Sequence, residues 1–189
     1  TRRRRELDAP FPQSIRFAVG AQGARIAYAI DGDGPALVRA AQWMTHLELE
    51  LHSRVFGRFL RRLMRGSRLL RYDGRGCGLS DRGMPAATVD DEVRDLEAVV
   101  DAAGLDRFAL LGRSQGAAIA IRYAALHPQR VSRLVIIGGQ VRGSLRRGAQ
   151  SSSLESVMAF CKVLEDGWGE ANSALRQVWT SWAFPGATT

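Results

Sequence analysis

The sequence predicts an α/β fold in which a mostly parallel sheet lies between two helical layers, a three-layer sandwich. Short runs of β-branched and apolar residues alternate along the chain with longer segments of helical periodicity. Glycines, and in one place Pro128, separate these segments where the chain must turn. Strands that are separated by helices pair in parallel through right-handed crossovers, so helices are expected on both faces of the sheet.

Each predicted element follows from a local pattern. Gly20 and Gly23 lie between the first two strand-like runs, and this spacing predicts a hairpin. Thr88 precedes acidic residues that suit the helix dipole, so it is the expected N-cap of a helix. The polar segment 42–53 is interpreted as a connection. In chain order, we predict strands at residues 14–19, 24–31 and 36–41, a helix at 54–65, a strand at 68–72, a helix at 89–103, a strand at 107–111, a helix at 115–126 and a strand at 133–137.

The composition is that of one ordinary globular domain. The 189 residues are 46% hydrophobic and 24% charged, which argues against a disordered or fibrous chain. The apolar stretches fall far short of the roughly 18 residues that cross a bilayer, and no apolar segment follows the arginines at 2–5 as in a secretory signal. We therefore expect a cytoplasmic protein without membrane contact. We interpret residues 1–13 as a basic arm or linker, 14–145 as the α/β core and 146–189 as the start of a helical cap.

The net charge of +8 raises the question of a nucleic-acid partner. The densest basic run falls in the predicted helix at 54–65, where apolar residues recur at helical spacing between the arginines. This pattern predicts an amphipathic helix with a solvated basic face, so nucleic-acid binding through this domain is not expected. The alternatives are a nucleic-acid or a membrane surface on this face, and nucleic-acid binding predicts a DNA affinity that falls steeply with salt.

One short motif carries the chemistry. The sequence Gly-Arg-Ser-Gln-Gly follows a predicted strand and opens a predicted helix, which is the context of a nucleophile elbow. Gly112 and Gly116 are small enough to let strand and helix approach around a strained turn. We predict Ser114 as the nucleophile and the backbone N–H of Gln115 as an oxyanion donor at the helix N-terminus. Arg113 is either a surface residue or a ligand for a substrate carboxylate. A chance occurrence of the motif in a loop is the alternative interpretation.

These features resemble the α/β-hydrolase superfamily over roughly residues 14–145. Segment 73–81, Asp-Gly-Arg-Gly-Cys-Gly-Leu-Ser-Asp, resembles the turn after its fourth strand, 112–116 its nucleophile elbow, and 127–139 the step into its sixth strand. Three further segments narrow the resemblance: Gln-Trp-Met-Thr-His-Leu at 42–47, Gly-Trp-Gly at 167–169 and Phe-Pro-Gly-Ala-Thr at 184–188. With them, the chain most resembles the hydrolase-like domains of bacterial multidomain regulators, which accompany helix-turn-helix or cyclase modules.

The resemblance implies hydrolysis of an ester, lactone or related acyl bond through an acyl-enzyme at Ser114, without a metal or an organic cofactor. The expected partner is then a small-molecule acyl substrate. A second hypothesis follows from the regulators, in which such a domain is a small-molecule sensor that reports to an attached output domain. The coding sequence before Thr1 and beyond Thr189 distinguishes the two hypotheses. An acid and a histidine in the expected order support the enzyme, and a helix-turn-helix or cyclase segment supports the sensor.

The sequence departs from the superfamily pattern at two places. Where the family usually has His-Gly after its third strand, this chain has Ala41 and Gln42, and the second oxyanion N–H is placed at Trp43. The triad order in this fold is Ser, acid, His, yet His127 is the only histidine after Ser114. About a dozen helical residues place His127 roughly 18 Å away from the serine. We therefore expect a chain cut before its acid and base, with negligible turnover by itself.

Other candidate residues have two interpretations each. His46 and His52 lie after the third strand, where they could contact a substrate, although a structural role is favoured. Asp166 precedes no histidine and is a poor triad acid. Cys77 and Cys161 are expected to be free thiols, with no metal cluster around them.

The final segment is rich in tryptophan and follows a sheet that stops at its sixth strand. The tryptophans either form an apolar lid over a ligand pocket, and so bind substrate, or cover a core. An uncovered last strand is an edge that favours self-association. The tryptophans concerned are Trp168, Trp179 and Trp182.

Overall fold

A computed structural model describes residues 13–53, 56–141, 143, 153–168, 170 and 175. Within them the chain forms six strands and five α-helices, and a short 3₁₀ turn, Ala21–Gly23, joins the first two strands. The strands are β1 (Ile15–Val19), β2 (Arg25–Asp31), β3 (Ala36–Arg39), β4 (Arg68–Tyr72), β5 (Phe108–Arg113) and β6 (Val131–Ile137). The helices are α1 (Leu47–His52), α2 (Phe56–Met64), α3 (Val89–Ala102), α4 (Gly116–Leu126) and α5 (Leu154–Gly167).

The six strands form one mixed sheet in the order β1-β2-β4-β3-β5-β6. The pairs β1/β2 and β2/β4 are antiparallel, and β3/β4, β3/β5 and β5/β6 are parallel. The order reverses at β3, which lies between β4 and β5 although it precedes both in the chain. The predicted α/β fold with an N-terminal hairpin and a mostly parallel sheet is confirmed, and the reversal places a crevice at the carboxyl ends of β3 and β5.

Helices cover both faces of the sheet because the strand side chains alternate between them. Val38 of β3 packs with the helices α3 and α4 in the larger core, and its neighbour Leu37 packs with α2 on the other face. The start of α3 has the expected cap, since the Thr88 hydroxyl accepts from the Asp91 N–H at 3.1 Å and Asp91 accepts in return from the Thr88 N–H. The local signals and the layered packing therefore agree.

The interpretation of segment 42–53 as a polar connection is wrong in part, because residues 47–52 form α1. The helix is too short to show a helical period, and its polar residues conceal its burial. Glu50 is buried beside Leu47 and Leu51 because arginines of the sheet neutralise its charge. His46 begins the helix as its N-cap, with Nδ1 accepting from the Leu49 N–H at 3.4 Å.

The chain divides into two compact units, Thr1–Val141 and Arg142–Thr189. The first contains the whole sheet and α1 to α4, and the second contains α5. The proposed domain boundary near residue 145 and the interpretation of the second unit as a cap stay predictions. In the part of the chain that is described, no helix is long and apolar enough to cross a membrane.

Candidate active site

Ser114 occupies the turn between β5 and α4 in a left-handed backbone conformation, with φ +52°. Few non-glycine residues adopt this conformation, and it concentrates at functional sites. The Ser114 N–H donates to the Ile137 carbonyl at 3.0 Å, and its own carbonyl accepts from the Ala117 N–H at 3.1 Å. These bonds hold the turn against β6 and α4. The side chain is exposed at the carboxyl end of the parallel strands, where ligands bind in such sheets.

The glycines on either side of Ser114 lie at close approaches of the backbone. A Cβ at Gly112 would lie 2.7 Å from both Ala117 Cα and Ala120 Cβ. A Cβ at Gly116 would lie 2.5 Å from the Ala41 carbonyl oxygen. The first glycine lets β5 approach α4, and the second lets α4 approach the segment after β3. Small residues are therefore required at both positions.

Two backbone N–H groups were predicted to form an oxyanion hole. Gln115 is the N-cap of α4, where the first N–H groups of a helix have no partner within the helix. On the other side, the Ala40 N–H donates to the Leu111 carbonyl at 2.9 Å and extends the pairing of β3 with β5. Trp43 follows, half-buried, directly before Met44 with φ +64°. The segment that leads to Trp43 thus packs on the elbow, and the role of each N–H stays a prediction.

The turn after β4 is a structural clamp. Buried Asp73 accepts the N–H of Leu79 at 2.9 Å and that of Leu47 at 3.2 Å, and burial raises the pKa of its carboxyl. Arg75 binds both carboxylate oxygens of Asp95, at 2.8 and 2.7 Å. These contacts tie the ends of β4 and α1 and the body of α3 together beside the site. The residues of segment 73–81 therefore hold loops in place, and Cys77 in this turn is a half-buried free thiol.

Sequence reasoning missed a buried network of charged side chains on the face that α1 and α2 cover. Glu50 lies 2.6 Å from Arg39 and 3.8 Å from Arg71, and Arg71 lies 3.0 Å from Asp31. Arg113, the last residue of β5, lies with its guanidinium carbon 4.7 Å from the centre of the Phe56 ring. The available signal was the occurrence of charged residues at strand positions that alternate with apolar ones.

Two of the three histidines make structural contacts with described residues. His127 ends α4, where its ring lies 4.6 Å from that of Tyr123 and its Nε2 lies 3.5 Å from Glu97. His46 caps α1, as described above, and His52 is exposed in the last turn of that helix. The preference for structural roles at these positions fits these contacts.

The remaining candidates lie in the second unit. Asp166 forms an ion pair with Lys162 at 2.5 Å on the surface of α5. Trp168 is exposed at the end of that helix, and Trp179 and Trp182 lie outside the described residues. Cys161 is an exposed free thiol. Over the described parts of both units, no group of three or more His, Cys, Asp or Glu could hold a metal ion.

The model of the alpha/beta hydrolase fold family matches residues 50–158, which is more than half of the chain. The chain belongs to the α/β hydrolase fold family. The matched region includes the turn after β4, the elbow at Ser114 and all of β6. The strand order and the left-handed backbone conformation of Ser114 thus agree with the fold that the sequence resemblance implied.

Relatives of this α/β hydrolase fold chain include hydrolases. It is 33% identical over 123 residues to an N-formylmaleamate deformylase of Pseudomonas putida, covering 57% of this chain and 44% of that protein. It is 35% identical over 79 residues to a 2-hydroxy-6-oxononadienedioate/2-hydroxy-6-oxononatrienedioate hydrolase of Paraburkholderia phymatum, covering 41% and 27%. An esterase from Exiguobacterium antarcticum superimposes with a TM-score of 0.66 at 25% identity, covering 80% and 55%. The chain therefore spans less than half the length of these curated relatives.

Proposed function

We propose that this chain carries the nucleophile of a serine hydrolase that cleaves an ester, a lactone or a related acyl bond. The observation that carries the proposal is the exposed Ser114, held with φ +52° between β5 and α4 of an α/β hydrolase fold. Steric strain at this position is retained because strand, helix and turn all constrain it.

In the proposed reaction, the Ser114 Oγ attacks the acyl carbon of a small-molecule substrate and its proton passes to a base. The N–H of Gln115, together with that of Trp43, donates to the oxyanion of the tetrahedral intermediate, where one such donor is worth about 10²–10³ in rate. The leaving group then takes a proton and departs, and water hydrolyses the acyl-enzyme. Ser114, Gln115 and Trp43 are the proposed catalytic groups.

The base must be a residue other than His127. At the end of α4, the His127 ring packs against that of Tyr123, and its Nε2 faces Glu97 of α3. Ser114 lies at the opposite end, before the first turn of α4. His127 is also the only histidine that follows Ser114 in this sequence. We therefore propose that the chain by itself turns over slowly, because a serine without a base is a weak nucleophile.

Covalent labelling tests the nucleophile separately from turnover. We expect a fluorophosphonate probe to add one label to the wild-type chain over hours, located at Ser114 by peptide mass spectrometry, and none to Ser114→Ala. Exposed Ser156→Ala on α5 is the matched control and should be labelled like the wild type. Equal labelling of Ser114→Ala would refute the proposal. Rapid multiple turnover of 4-nitrophenyl butyrate that Ser114→Ala abolishes would instead refute the argument about the missing base.

The other hypotheses gain no support from the relatives reported above. These are hydrolases, so the sensor role is not favoured, and the association with bacterial regulators stays a prediction that the flanking coding sequence can test. The basic face of α2 stays a prediction too. Arg58, Arg62 and Arg65 are exposed on it, as expected for a solvated face.

A further inference from the structure

Arg113 stands directly beside the proposed nucleophile, on the face of the sheet that α1 and α2 cover. The register pairs Arg39 of β3 with Leu111 of β5, and side chains two residues apart in a strand share a face. Arg113 therefore projects on the same face as Arg39. Its half-buried guanidinium lies over the ring of Phe56, the first residue of α2. Packing on an aromatic face restrains the position of the cation.

Arg113 has no carboxylate partner among the described residues of its face of the sheet. The carboxylates of this face already have partners. Glu50 is shared by Arg39 and Arg71, and Asp31 pairs with Arg71. Asp73, the third, accepts the N–H groups of Leu79 and Leu47. None of the described carboxylates lies within 4.0 Å of the Arg113 guanidinium. Burial and the like charge of Arg39 both lower the pKa of Arg113, and Glu50 opposes them. A half-buried cation that lacks a carboxylate partner is stabilised when an anion binds to it from solvent.

We propose that Arg113 binds a carboxylate of the substrate, so that the hydrolase acts on acyl compounds that carry a carboxylate near the bond to be cleaved. This proposal rests on the proposed function, because the adjacent Ser114 supplies the attack. The planar guanidinium presents two parallel N–H donors, a geometry that matches a carboxylate better than a neutral amide. Binding at Arg113 fixes one end of the substrate, and Ser114 then meets an acyl carbon close to that end.

Binding of a matched pair of small molecules tests the proposal without any turnover. The probes are 3-phenylpropionate and 3-phenylpropionamide, which differ only in the charged group, and isothermal titration calorimetry measures both on the 189-residue chain. We expect the carboxylate to bind the wild type about tenfold more tightly, a difference of about 1.4 kcal/mol. Arg113→Gln should abolish the preference. Arg113→Lys, which keeps the charge and loses the fork, should retain a smaller one. Exposed Arg62→Gln is the matched control and should leave the preference unchanged.

Several outcomes would overturn the proposal. It fails if the wild type binds the two probes equally. It also fails if Arg113→Gln or Arg113→Lys has the melting temperature of the wild type, and so is folded, yet keeps the full preference for the carboxylate probe. It also fails if inorganic phosphate displaces the carboxylate with equal affinity, because the site would then select any anion. Ser114→Ala should keep the preference. If Ser114 resists labelling while the preference persists, the nucleophile assignment fails and the carboxylate site at Arg113 stands.

Discussion

A single methyl group at position 112 tests the packing that shapes the elbow. In Gly112→Ala the new Cβ would lie 2.7 Å from Ala117 Cα, 2.7 Å from Ala120 Cβ and 2.9 Å from the Gly116 carbonyl oxygen. Two of these three atoms belong to the backbone, so α4 must move away from β5 as a unit. Overpacking of a core costs about 1–3 kcal/mol, and we expect the upper end because no flexible side chain can rotate aside. For a chain of this size, about 3 kcal/mol lowers the melting temperature by about 6–12 °C.

Thermal unfolding followed by circular dichroism measures this loss, and urea unfolding gives the free energy at 25 °C. Gly66→Ala is the matched control, since a Cβ there meets no atom within 4 Å. We expect its melting temperature to stay within about 2 °C of the wild type, because exposed substitutions away from special features change stability by about 0.5 kcal/mol or less. If both variants melt at the same temperature, the close approach of β5 and α4 does not constrain position 112 and the packing argument is wrong.

Three further predictions concern charge, pH and assembly. Glu50→Gln leaves Arg39 and Arg71 without their shared carboxylate and should lower the free energy of unfolding by about 3–5 kcal/mol in urea titrations. The exposed control Glu48→Gln should leave the free energy of unfolding unchanged. An equal loss of stability in both variants would contradict the network. Burial raises the pKa of Tyr123 to about 12, above its unfolded value near 10, so stability present below pH 10 falls as the pH rises towards 12. Tyr123→Phe should reduce that alkaline loss in urea titrations at pH 9 and 11.5, and an unchanged loss would count against burial as its cause. Val135 is exposed on β6, the last strand of the described sheet, and we expect the chain to self-associate with rising concentration in analytical sedimentation. Val135→Lys should weaken this self-association, and the exposed control Val89→Lys should not. A wild type that stays monomeric at all concentrations would contradict the prediction.

Much of the fold followed from local patterns, and one helix did not. The strands of the hairpin, the Thr88 cap and the strand, turn and helix around Ser114 were predicted within a few residues of their observed bounds. Helix α1 was missed because its six residues are too few for a period to appear. Its buried Glu50 also made the segment look solvent-exposed, although an acid can be buried when it is paired. The error therefore came from a tertiary contact that no local pattern contains.

The candidate site divides in the same way. The motif at residues 112–116 was sufficient to locate the elbow, because the physical demand for two small residues around a strained serine is local. The partners of Arg113 were not predictable from its neighbours in the chain. They depend on β3 lying next to β5 and on which face of the sheet α1 and α2 cover, and these arrangements bring Arg39, Glu50 and Phe56 into its surroundings from more than fifty residues away.

By itself, the sequence determined the fold class, the order of the main elements and the position of the serine elbow. These depend on periodicity, on capping and on the size of side chains within a few residues of one another. The tertiary structure alone decided the network of ion pairs beside Ser114 and the structural contacts of His46 and His127. Such properties depend on the burial of ionisable groups and on distances between strands that are remote in the chain, and only the packed sheet determines both.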